Sequence, residues 1–214
     1  MFQYAALKGI AANRGFDYTI PPENSQIQID NYGLLEAFEL STNKNVGWKE
    51  SSGTVQERHF HFDEEIFNNC PDEVNIHGFF QSEKYFKHIE DDIRKDFTFK
   101  SEWLEPCQNM IKQLDIDPIF LHVRRGDPGL ADKRGFKWAY VNLAHQHPVQ
   151  PLEYYEQALA EFDEEQPVVV FSDSIEWCKE QEIFQGDRFM FSEPEDKHSD
   201  GALVPYLDMC LMSL

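Results

Sequence analysis

The chain opens on a helical pattern. In MFQYAALKGIAANRGF, residues Phe2, Ala5, Ala6, Gly9 and Ile10 recur at three- and four-residue intervals and share one helix face, which Asn13 to Gly15 brings to a stop. Asp17 to Ile20 reads as a short strand closed by Pro21 and Pro22. Residues 23–53 are polar and irregular apart from an apolar patch at Leu34 to Phe38. From Val55 the period changes to two. VQERHFHF predicts a strand burying Val55, Phe60 and Phe62, and VNIHGFF (Val74 to Phe80) predicts another. Ser82 then caps a helix with the stripe Phe86, Ile89, Ile93 and Phe97. Residues 101–114 form a second helix, which Pro106 must kink unless it sits near the start.

Asp115 to Pro118 separates two halves, 1–115 and 116–214. In the second, PIFLHV (118–123) and PVVVFS (167–172) are continuous apolar runs, and Asp187 to Ser192 is a third, shorter strand. Helices are predicted over Pro151 to Phe162, around Ile175 to Glu182 and from about Gly201 to Leu214. Uninterrupted Val/Ile/Phe strands alternating with helices predict an α/β fold with a parallel sheet covered on both faces. Such sheets take ligands at the carboxyl ends of their strands. The first helix has no cap before it and the last none after it, so both ends read as cut.

Composition restricts the partners. With 214 residues, 18 of them Phe, the chain can bury a substantial core and does not read as disordered. Nineteen Lys and Arg against 39 Asp and Glu leave a formal charge of −20, which argues against general nucleic-acid binding. An anionic ligand needs a local basic cluster. No run reaches the roughly 20 apolar residues of a membrane span, and a cytoplasmic protein, or one peripheral to a membrane, is expected. Cys70, Cys107, Cys178 and Cys210 lie far apart in sequence and read as buried thiols.

The basic cluster is HVRRGD, His122 to Asp127, at the end of the first strand of the second half. Arg124 and Arg125 offer planar donor forks suited to phosphate oxygens. Alternation sends them to opposite sides while the chain is extended, so one meets a ligand and the other pairs with an acid or the sheet edge. The alternative is a surface pair held by acidic neighbours. Ser172 and Asp173, in VVVFSDSIEW, end the next strand, where they either cap the following helix or bond a nucleotide's sugar or base. GFFQSEKYF, Gly78 to Phe86, reads as a strand-to-helix turn with core aromatics. His59 with His61, and His145 with His147, have spacing for a shared face but no third ligand nearby, so no metal is expected.

HVRRGD, the later PLEYYEQAL and VVVFSDSIEWC, GFFQSEKYF and the opening MFQYAALKGIA together resemble the α-1,2-fucosyltransferases of glycosyltransferase family 11, in family order and over nearly the whole chain. The resemblance implies a GT-B architecture of two Rossmann-like domains facing a cleft, with 1–115 on the acceptor side and 116–214 binding the donor. It implies inverting, metal-independent transfer of fucose from GDP-L-fucose to the 2-hydroxyl of a galactose-type acceptor, with no cofactor. It makes Arg124 the pyrophosphate ligand, with His122 and Arg125 shaping the site and Ser172 and Asp173 near the nucleoside. Asp127, on the same loop, is the candidate base. The resemblance further implies that the family's Gly-Asn-Gln loop and first strand are missing before Met1, and its Ser- and Trp-rich closing turn after Leu214. FSDS stands where FSDD is usual, and Pro128 replaces an aromatic residue. A transferase using another GDP-sugar and an inactive nucleotide- or glycan-binding fragment are the alternative readings.

Overall fold

A computed structural model describes residues 1–22, 34–41, 53–113, 117–125, 148–192 and 205–214. The chain divides into two compact units, Met1–Ser101 and Glu102–Leu214. The division falls just after Ser101, the first residue of the helix at 101–112.

In the first unit, α1 (Phe2–Arg14) ends as expected, with Gly15 in the left-handed conformation at φ 72° donating its N–H back to the helix. Its buried face is Tyr4, Ala5, Ala6, Gly9, Ile10 and Ala11. Phe2 departs from the expected stripe; it is 45% exposed and sits beside the ring of Phe86. Gly9 has a packing reason to be in this helix. A Cβ there would lie 2.1 Å from the carbonyl oxygen of Tyr85, so α1 rests directly on the backbone at 85–86. Asp17 to Ile20 forms no strand; the Tyr18 hydroxyl reaches the Ser41 carbonyl instead. Leu34–Ala37 is a single turn, α2, and Phe38 bridges to Phe99 in antiparallel fashion.

Two short strands, β1 (Gly53–Gln56) and β2 (Val74–His77), pair in parallel from Gly53↔Val74 to Gln56↔His77. Between them runs α3 (Glu64–Asn69), capped by Asp63, whose carboxylate accepts the N–H groups of Glu65 and Ile66. The alternating run predicts strand as far as Phe62, but β1 stops at Gln56. Phe60 is 73% exposed rather than buried, because Arg58 grips Asp63 through two bonds of 2.9 Å and bends the chain out of the ladder. The second strand likewise ends before Gly78.

The helix expected from Ser82 to Phe97 is broken into two 3-10 turns, Glu83–Tyr85 and Lys87–Ile89, followed by α4 (Glu90–Asp96). Ser82 makes no capping bond through its side chain. Tyr85, outside the expected stripe, is fully buried, and its hydroxyl accepts the N–H of Asp63 at 2.8 Å. Around it pack Ala6, Ile10, Ile66, Cys70 and Phe80.

The second unit follows the sequence reading closely. Helix α5 (Ser101–Lys112) contains Pro106, which withholds one backbone donor. Strands β3 (Ile119–Val123), β4 (Val168–Ser172) and β5 (Phe189–Phe191) form a parallel sheet in that order. The connecting helices are α6 (Leu152–Leu159) and α7 (Ile175–Glu180), and α8 (Pro205–Leu211) closes the described chain. Residues 201–204 of the expected last helix lie outside the described residues. Ile119 and Val123 from β3, with Val168 and Val170 from β4, point to one face, where Tyr155, Cys178 and Phe184 cover them. On strand residues facing the other way, Phe120 and Phe171 meet edge to face at 5.6 Å. All four cysteines are free and buried. No described helix is long and apolar enough to cross a membrane.

Candidate functional site

Register decides what stands at the sheet's carboxyl edge. The last ladder pair of β3 and β4 is Val123↔Ser172, so Arg124 and Asp173 follow it side by side. A parallel ladder leaves the backbone groups beyond its last pair without a strand partner, and here a side chain supplies one. The Asp173 carboxylate accepts the backbone N–H of Arg125 at 2.9 Å and meets the Arg124 Nε at 3.3 Å. One carboxylate therefore ties down the exit of β3 and orients the fork of Arg124, whose side chain is 47% exposed.

The acid-paired arginine is Arg124, on Asp173, whereas Arg125 departs from the expected pairing with an acid or the sheet edge. Its guanidinium carbon lies over the ring of Trp177 on α7, 3.6 Å from the ring centre, a cation–π contact. Ser172 turns inward: its Oγ accepts the N–H of Ser174 at 2.9 Å and bonds the Cys178 thiol. The Cys178 thiol is raised by burial, against the opposing pull of Ser172 and Arg125. Ser174 stands at the N-cap of α7 and makes no side-chain bond there, while the side chains of Ser172 and Asp173 take the amides of Ser174 and Arg125 rather than those of the first helical turn.

His122, one residue before the end of β3, is exposed, and Asp208 on α8 lies within its electrostatic reach. Burial raises the Asp208 carboxyl, and both the Ser192 hydroxyl, which donates to it at 2.6 Å, and the charge of His122 oppose that rise. Arg124, Arg125, Ser172 and Asp173 thus gather at one edge, with His122 beside it. Asp127, His145 and His147 lie outside the described residues. His59 and His61 do stack, with ring centres 3.8 Å apart. Among the described residues no group of three or more His, Cys, Asp or Glu side chains converges as a metal site requires. Trp177 and Asp208 are the participants that the sequence reading missed. Trp177 had a signal only in standing within the motif VVVFSDSIEWC. Asp208 had none.

A basic fork held at the carboxyl edge of a parallel sheet is a group suited to anions. The model of glycosyl transferase family 11 matches residues 1–210. The chain belongs to that family. It is 26% identical to the O-antigen biosynthesis glycosyltransferase WbnK of Escherichia coli over 164 residues, 70% of this chain and 48% of that protein. It is also 26% identical to galactoside alpha-(1,2)-fucosyltransferase 2 of Sus scrofa over 197 residues, 84% of this chain and 52% of that one. With galactoside alpha-(1,2)-fucosyltransferase 1 of Homo sapiens the identity is 31% over 126 residues, covering 53% and 32%. The chain spans about half the length of the first two of these relatives. No solved structure matches it.

Proposed function

We propose that this family 11 chain carries the donor chemistry of a galactoside 2-α-L-fucosyltransferase. GDP-L-fucose binds at the carboxyl edge of β3 and β4, in a GT-B arrangement with the first unit on the acceptor side. The 2-hydroxyl of a galactose-type sugar attacks the fucose anomeric carbon, the bond to the diphosphate breaks on the opposite face, and the configuration inverts. Without a metal, charge growing on the leaving diphosphate requires fixed donors. Arg124, held through Nε by Asp173, supplies them, and Arg125 on Trp177 keeps the adjoining loop in register. Asp127 remains the proposed acceptor of the hydroxyl proton.

The observation that carries this reading is the Asp173 clamp, which holds the exit of β3 and the Arg124 fork together. Support for the fucosyl donor comes from the names of the mammalian relatives. Removing a transition-state donor of this kind costs on the order of 3 kcal/mol, about a hundredfold in rate. The test is GDP release from GDP-L-fucose with lactose, in EDTA, for the wild-type chain and Arg124→Ala. Acceptor-dependent release that survives EDTA and falls about a hundredfold in the variant supports the proposal. Release that EDTA abolishes, or that Arg124→Ala leaves unchanged, overturns the mechanism. Turnover of GDP-mannose in place of GDP-fucose would reassign the sugar, because arginine–phosphate contacts do not read it.

A further inference from the structure

The carboxyl ends of β1 and β2 carry a surface cluster for which the donor site has no use. The chain leaves these strands in two turns that hold each other. Glu57, just past β1, donates its N–H to the His77 carbonyl at 2.8 Å. Its carboxylate accepts the N–H of Phe79 at 2.7 Å and that of Phe80 at 3.1 Å. Gly78 permits this approach, since a Cβ there would lie 2.4 Å from the Glu57 Cβ. Phe80 sits at φ 51°, in the left-handed region that non-glycine residues avoid, and its ring is buried. The consequence is that Phe79 stands outward, 58% exposed.

On the facing turn, the Arg58–Asp63 pair and the bond from Asp63 to Tyr85 pin both ends of a short loop that projects His59, Phe60 and His61. The Phe60 and Phe79 rings come within 5.8 Å of each other, and the stacked imidazoles of His59 and His61 stand on the same loop. Local backbone strain kept at a strand end, with two large rings left in water, is a pattern of binding sites rather than of packing.

The chemistry of the cluster selects its occupant. Aromatic faces accept the C–H bonds of an apolar sugar face, and imidazole nitrogens exchange hydrogen bonds with hydroxyls around its rim. The two carboxylates beside the rings are engaged, Glu57 with backbone amides and Asp63 with Arg58, the α3 cap and, at 3.8 Å, the Nε2 of His59, which leaves His61 and the Nδ1 of His59 for a ligand's hydroxyls. A neutral ligand therefore fits, and a chain of net charge −20 does not repel one. The position is also the carboxyl end of a parallel strand pair, where α/β folds take ligands.

We propose that Phe60 and Phe79, flanked by His59 and His61, form a platform that binds a neutral pyranose of the acceptor glycan through its apolar face. The proposal rests on the glycosyl-transfer reading above for the identity of its ligand, and two separate titrations keep the two apart. Lactose is titrated into the full chain by saturation-transfer NMR, and GDP by calorimetry. Phe60→Ala and Phe79→Ala are expected to weaken lactose about tenfold each. The double variant abolishes the transfer signal, Phe79→Trp retains it, and the GDP isotherm is unchanged in all of them. Lactose binding through these rings in a chain that does not bind GDP would keep the platform and remove the donor reading. An undiminished signal in the double variant, or none in the wild type, overturns the platform. So does a wild-type dimer in sedimentation that the double variant dissociates and lactose does not, because the rings would then be an interface between copies.

Discussion

The Asp173 carboxylate, one residue past β4, accepts the backbone N–H of Arg125, two residues past β3, at 2.9 Å. It prolongs the pairing of the strands beyond Val123↔Ser172 by means of a side chain. Hydrogen bonds to a charged group contribute about 1.5–3 kcal/mol. Asp173→Ala is therefore expected to lose about 2 kcal/mol in urea denaturation and to weaken GDP about tenfold by calorimetry. Asp173→Asn, which keeps an acceptor oxygen, should recover part of both.

The two arginines should separate by readout. Arg124 is half exposed, and its replacement by Ala should change stability by no more than about 0.5 kcal/mol while weakening GDP most. Arg125→Ala removes the stack on Trp177 and should cost about 1 kcal/mol. Parallel denaturation and GDP titration of both variants check this. Equal losses of GDP affinity would show that the exposed fork has no special role.

Acid should loosen the first unit through Asp96. Burial alone would raise this carboxyl, but bonds from Lys8, Ser41 and Tyr4 outweigh it and hold the group below the usual carboxylate range. Lys8 Nζ lies 2.6 Å away and the Tyr4 hydroxyl 2.7 Å. Because the folded value is the lower one, the stabilisation is complete above the unfolded value of about 4 and disappears as pH falls through the folded value. Asp96→Asn should cost about 3 kcal/mol at pH 7 and flatten the acid limb below pH ~4. Asp63, also lowered, leaves a residual limb. Urea denaturation from pH 3 to 7 measures both.

Gly9→Ala tests the contact between α1 and the turn at Tyr85. In an exposed helix the change would gain about 1 kcal/mol. Here the new methyl meets backbone, 2.1 Å from the Tyr85 carbonyl oxygen and 2.9 Å from the Phe86 Cα, which cannot rotate away. A net loss of about 2 kcal/mol is expected in thermal or urea unfolding. A gain would mean that the helix shifts freely.

The thiols should be silent until the chain unfolds. Burial is the leading cause that raises each of them, and Cys107, beside Cys210, is pushed up to about 12. A thiol reagent at pH 8 is expected to titrate none of the four in the native chain and all four in urea. Fast reaction of the native chain would contradict the packing of α5 against α8 at this pair.

What could be read from sequence was whatever near neighbours encode. The runs IFLHV and VVVFS announce strands buried on both faces, and the elements between them announce a parallel sheet. That alone puts HVRRGD and FSDS at strand ends, and the motifs together indicate the family. The alternation from Val55 to Phe62 misled because β1 is ended by side-chain contacts, and periodicity carries no record of them. The single helix read from Ser82 to Phe97 misled for the same reason, although its Ile93 is buried as the stripe requires: Tyr85 is drawn inward by Asp63, 22 residues earlier.

Tertiary structure decided which partner each polar group takes. Arg125 lies on Trp177, Asp173 reaches an amide 48 residues away, and Glu57 holds the amide of Phe79 so that its ring meets that of Phe60. Those pairings depend on the register between segments far apart in the chain. The physical reason is range: burial periodicity is local, whereas a hydrogen bond between strand ends exists only once the register has brought its two groups within 3 Å.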